Sequence, residues 1–251
     1  DSTPRLPADE DPLLHARRLV AQRCLYGVDK NRFAVNLAKL SLWLVTLAKD
    51  HAFTFLDHAL KHGDSLIGLT KDQIGAFHWS PRELNSGPLF AGVAHTVNEV
   101  SAWRRQIQTL EEGDYDRRRT AWMAAEDVVN DVRLIADLCV AAYFGAQKDK
   151  DREALRVEYR QLVDAWRTGG DRGARIEVEG IVSQLRDGER PVTPLHWAIE
   201  FPEVFGREIP GFDGIVGNPP FLGGKRISTV FGESFRDWLG IRRGDVRGAA
   251  D

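Results

Sequence analysis

The sequence predicts an α/β fold interrupted by an antiparallel all-helical insertion. Three observations predict it. Short apolar runs, Cys24–Val28 and the stretch around Leu60–Ile67, stop at an acid or at a Gly/Asp/Ser turn, as parallel strands do. A third run, Ile215-Val216, follows the turn signal Gly211-Phe212-Asp213-Gly214 and ends at Pro219-Pro220, where neither residue has an N–H to continue a ladder. Between them, residues 93–168 carry helical periodicity throughout. The expected division is 1–70 as the first part of the α/β domain, 71–190 as a loop plus helical insertion, and 191–251 as the return to the α/β domain.

In order, residues 1–10 are polar and read as a loop. Asp11-Pro12 reads as an N-cap with proline at the first helical position, and the stripe Leu13, Leu14, Ala16, Leu19, Val20 carries a helix to about Arg23. Residues 24–28 then form a strand ending in Asp29. A carboxylate there offers two acceptor oxygens, enough for a ribose diol, or it caps the next helix; the local pattern leaves both readings open. Asn31 to Lys49 is apolar nearly all round and predicts a well-buried helix, with Arg32, Asn36 and Lys39 arguing against a membrane span.

A short strand is expected at Leu60–His62, followed by a turn holding Asp64 and Ser65. His51, His58 and His62 read as surface or strand-edge residues, since no recognised metal-ligand pattern is completed around Asp57. Residues 70–92, with Pro81 and Asn85-Ser86-Gly87-Pro88, read as a surface loop. Three helical stripes follow: Val93 to Leu110, Trp122 to Cys139 and Leu155 to Trp166, with breaks at Gly113-Asp114 and at Lys148–Asp151. Arg117-Arg118-Arg119 reads as a solvated face. A further helix is expected over about Ala174–Leu185, then a packed, extended, aromatic segment at 190–210. Leu222–Ile227 reads as flexible and basic, with Lys225 and Arg226 as weak candidates for contact with DNA, and a last helix as Glu233–Leu239.

The bulk numbers set outer limits. A chain of 251 residues with 43% hydrophobic and 28% charged residues builds an ordinary core. A net charge of −3 gives no global nucleic-acid signature, so phosphate contacts must come from local patches. Cys24 and Cys139 fit no metal or redox spacing and read as buried thiols of a reducing compartment, and with no signal peptide the expected location is cytoplasmic.

The chemistry centres on Asn218-Pro219-Pro220-Phe221. The Asn218 side-chain oxygen and the Pro219 carbonyl are acceptors suited to an exocyclic amine, and Phe221 offers a ring for a base to stack on. With the preceding Phe212-Asp213-Gly214-Ile215-Val216-Gly217, this stretch resembles the catalytic motif of the N6-adenine DNA methyltransferases. Leu25–Asn31 is similar to the segment whose acid binds the ribose of S-adenosylmethionine, and Asp64-Ser65 to the motif that contacts its adenine; the order of the three matches the family. Pro194–Phe205 looks like the approach segment of large methylases of type IIG restriction–modification and related phage-defence systems.

The resemblance covers roughly 11–228. It implies a partial Rossmann-like, S-adenosylmethionine-dependent sheet, Asn218, Pro219, Pro220 and Phe221 as the catalytic group, Asp29, Lys30, Asp64 and Ser65 as the cofactor group, no metal, and double-stranded DNA with a flipped adenine as partner. Nothing before Asp11 resembles the family's Gly-rich loop, and no stretch suits a target-recognition domain. The chain is therefore expected to be an interior slice of a larger enzyme, lacking roughly half of the cofactor pocket and inactive alone. Two rivals stand beside this reading: methylation of a protein glutamine or an RNA guanine amine, and a non-catalytic module whose helical insertion docks a partner.

Overall fold

The computed structural model describes residues 11–46, 56–80, 88–109, 115–218 and 224–242. The chain divides into two compact units that meet in sequence between Ser65 and Leu66.

The first unit is a βαβ arrangement preceded by a helix. Helix α1 (Pro12–Arg23) starts as expected: the Asp11 carboxylate accepts from Leu13 N at 2.8 Å, and Pro12 needs no partner for a missing N–H. Strand β1 (Gly27–Asp29) pairs in parallel with β2 (Leu60–His62), in the register Gly27 with Leu60, Val28 with Lys61 and Asp29 with His62. Helix α2 (Arg32–Val45), capped by Asn31, is the crossover that a parallel pair requires. Ala21, Val35, Leu56 and Leu60 form the small core.

The expectation of a deeply buried α2 is corrected. Val35 is its buried residue, while Phe33, Leu37, Leu40, Leu44 and Val45 are exposed. A two-stranded ladder is too narrow to cover more than one stripe of a helix that is apolar on all sides.

The second unit is helical. Helices α4 (Pro88–Thr109), α5 (Tyr115–Phe144), α6 (Asp149–Arg167) and α7 (Arg172–Asp187) form the expected insertion. Their buried stripes keep helical spacing: Val93, Val97 and Val100 on α4, Val129, Val132, Ala136 and Cys139 on α5, and Ala174, Val178 and Val182 on α7. Gly170, at φ +67°, makes the turn into the Asp171 N-cap of α7. Trp238 of α11 (Glu233–Arg242) closes on the bundle, its ring 5.0 Å from that of Tyr143 and its Nε1–H donating to Leu66 O at 3.2 Å.

The insertion leaves and returns at one point. Leu195 N donates to Ile67 O at 2.7 Å, and Leu69 N donates to His196 Nδ1 at 3.0 Å. His196 is fully buried; its Nδ1 is the acceptor for Leu69 N, so Nε2 carries the hydrogen and donates to Asp137 Oδ1 at 3.0 Å. Arg186 Nε donates to the other Asp137 oxygen at 2.9 Å. A His–Asp–Arg chain, buried at His196 and Asp137 and half-buried at Arg186, thus ties the base of the insertion to α5 and α7.

Five further readings change. Residues 71–76 are a helix, α3 (Lys71–Ala76), held by a Thr70–Gln73 capping box and closed by Phe77 at φ 51°. The approach segment is two single turns, α8 (Trp197–Glu200) and α9 (Pro202–Phe205), and not extended chain. Residues 224–231 are helical, α10 (Gly224–Phe231), where a flexible stretch was expected. Ile215 and Val216 form no strand and are exposed, because among the described residues no ladder pairs with them and an unpaired strand leaves its backbone groups unsatisfied. Cys24 is exposed, whereas Cys139 is buried and its thiol pKa is pushed up by burial. Among the described residues no helix is long and apolar enough to cross a membrane.

Candidate active site

The first unit gathers all four residues assigned to the cofactor. Parallel pairing brings the carboxyl ends of both strands to one edge, and that edge carries Asp29 at the end of β1, Lys30 just beyond it, and Asp64 and Ser65 just beyond β2. In α/β sheets this is the edge where ligands bind. The Asp29 carbonyl accepts from Gly63 N at 3.0 Å, which locks the turn holding Asp64 against the end of β1. Asp29 Oδ1 accepts from Asn31 N at 2.7 Å; the N-cap of α2 is Asn31, so Asp29 braces the cap residue and does not cap the helix itself, and its carboxylate remains exposed. Asp64 is buried and paired with Lys30 Nζ at 3.0 Å; Ser65 is exposed. His58 and His62 are each engaged by a backbone carbonyl, of Gln22 at 3.0 Å and of Lys30 at 3.1 Å.

The pair of acceptors suits a nucleoside. An exposed carboxylate at a strand end can accept from paired hydroxyls, and a buried carboxylate on the neighbouring turn can accept from an amine.

Asn218 lies in the second unit, exposed, at the end of the irregular stretch after Gly211. Pro219, Pro220 and Phe221 fall outside the described residues. Lys225 and Arg226 lie in the first turn of α10, and their side chains are likewise outside the description.

The approach to Asn218 is anchored by Phe212 and Asp213 of the motif stretch and by Arg207, which sequence reasoning did not single out. The Phe212 ring meets three others edge-on, at 5.7 Å from Trp197, 5.7 Å from Phe201 and 5.8 Å from Phe205. Arg207 forks onto both Asp213 oxygens at 3.0 and 2.9 Å, and also donates to the carbonyls of Ile209, at 2.8 Å, and Gly211. Those hydrogen bonds hold the Asp213 carboxyl below its ordinary pKa. The aromatic run 197–212 carried a signal for this nest; the Arg207 fork left none.

With both clusters in view, comparison with known families is informative. Residues 23–238 match the model of the Eco57I restriction-modification methylase family. The chain belongs to that family. The match runs over the Asp29–Asp64 edge and over Asn218 alike, and family membership makes this a methyltransferase-type chain of restriction–modification. No curated protein and no solved structure matches it.

Proposed function

We propose that this chain is the catalytic part of a DNA methyltransferase that modifies adenine N6 with S-adenosylmethionine as donor, on a Rossmann-like sheet of which β1 and β2 are part. The observation that carries the reading is the continuous family match from 23 to 238, which encloses both the cofactor-type edge and the Asn-Pro-Pro-Phe sequence.

S-adenosylmethionine, when bound, supplies an electrophilic methyl group. Asp29 would accept from the ribose hydroxyls and Asp64 from the cofactor's adenine amine, with Lys30 holding the Asp64 carboxylate in place. The Ser65 N–H donates to a ring nitrogen. The target adenine, taken out of the duplex, stacks on Phe221. Its N6 is held by the Asn218 side-chain oxygen and the Pro219 carbonyl, which aim the nitrogen lone pair. The amine would be presented neutral; as its N–C bond formed, the methyl–sulfur bond would break to leave the neutral thioether, and the product would lose its proton to water afterwards, so no strong base is needed beside Asn218. Lys225 and Arg226, at the start of α10, supply phosphate contacts.

Asn218→Ala in the full-length protein tests the assignment. Labelled-methyl transfer to double-stranded DNA should fall at least about 100-fold, while S-adenosylmethionine affinity stays within about threefold. Unchanged turnover would remove Asn218 from the chemistry.

A further inference from the structure

The bundle grips the approach segment through two arginines. Arg133 on α5 donates to both carboxylate oxygens of Glu200, from Nε and, at 3.0 Å, from Nη2. Arg104 on α4 donates to the Glu200 carbonyl at 2.6 Å and to Glu203 Oε2 at 3.0 Å. Glu126 on α5 flanks both, 3.1 Å from Arg133 and 3.5 Å from Arg104. Arg104, Glu200 and Glu203 are almost completely enclosed. Burial opposes the charge on Arg133, but Glu200 and Glu126 more than offset it and hold the guanidinium ionised.

Helices α8 and α9 are four residues each, too short to persist on their own. Their geometry is therefore imposed from outside, by the arginine cluster together with the burial of Ile199, Phe201 and Val204. Phe201 lies fully buried between Glu200 and Glu203, and its ring carries Phe212. Gly211 N donates to Val204 O at 3.2 Å. Phe212 stands six residues before Asn218. An unbroken line of contacts thus runs from the insertion to the stretch that presents Asn218.

We propose that Arg133 is a positioning residue for Asn218, acting through Glu200 and the aromatic nest of Phe212, so that the helical insertion is part of the catalytic apparatus and not a separate docking module. The proposal rests on the functional reading of Asn218 given above.

Arg133→Lys keeps the cation and loses the fork. In the full-length protein, its kcat for methyl transfer to double-stranded DNA should fall about 10- to 100-fold, with KM for S-adenosylmethionine within about twofold of the parent. Amides of 207–218 should exchange hydrogen faster, while those of 27–64 should not change. A lowered melting temperature with unchanged kcat and unchanged exchange at 207–218 would overturn the proposal. If Arg133→Lys does not fold, Phe212→Leu leaves every ion pair of the bundle in place and is read the same way: slower turnover with faster exchange at 207–218 supports the proposal, and no change in either overturns it. Should the unsubstituted protein transfer no methyl to DNA, the functional reading fails by itself. The exchange comparison then still decides whether Arg133 orders 207–218.

Discussion

Tyr143 shows how individual side chains can be separated by type of contribution. It is fully buried, with Trp79, Phe144 and Trp238 edge-on around it and the Arg152 guanidinium 4.0 Å from its ring centre. Among the described residues its hydroxyl has no hydrogen-bond partner. Burial pushes the phenol up to about 12, although Arg152 pulls the other way. The folded chain therefore keeps a proton that the unfolded chain releases near 10.0, so this contribution is whole below that pH and is lost as pH rises through about 12. Tyr143→Phe keeps the ring and its cation. At neutral pH it should leave stability unchanged or raise it by up to about 1 kcal/mol, and it should weaken the alkaline decline. Urea unfolding at neutral and alkaline pH checks both, and a clear loss at neutral pH would mean that the hydroxyl is satisfied. At this scale the sequence was legible where chemistry is local. Asp29, Asp64 and Asn218 each sit in a short, ordered pattern. Glu200 and Arg133 are 67 residues apart, and no local pattern announces such a pair.

At the scale of elements, the caps and stripes predicted α1 and the four long helices because each depends on residues within a few positions. Helix α3 carried a readable Thr70–Gln73 box, but the prolines and glycine downstream dominated the reading. The turns of α8 and α9 and the exposure of α2 follow from what packs on them, which periodicity does not report. The crossing of Ile67–Leu69 with Leu195–His196 is the tightest of these non-local features. A Cβ at Gly68 would lie 2.0 Å from Leu195 O, a backbone atom that cannot swing aside. Gly68→Ala should therefore cost about 3 kcal/mol or more. Gly180, exposed in α7, has nothing within 4 Å of its would-be Cβ, so Gly180→Ala should stabilise by about 0.5–1 kcal/mol. Denaturant midpoints of the two variants should move in opposite directions. A tolerated Gly68→Ala would show that the clasp is loose.

At the scale of the molecule, one family match spans a βαβ unit with two acids at its carboxyl edge and a helical unit that carries Asn218. The helical insertion was visible from the sequence as helices, and its grip on the approach segment emerges from buried charge between α4, α5, α8 and α9. The chemistry assigned to the whole makes one product. Double-stranded DNA incubated with S-adenosylmethionine and the full-length protein, then digested to nucleosides and analysed by mass spectrometry, should contain N6-methyladenine, and the Asn218→Ala protein should leave it absent. Methylated cytosine, or label recovered in protein or RNA with DNA unmodified, would contradict the account.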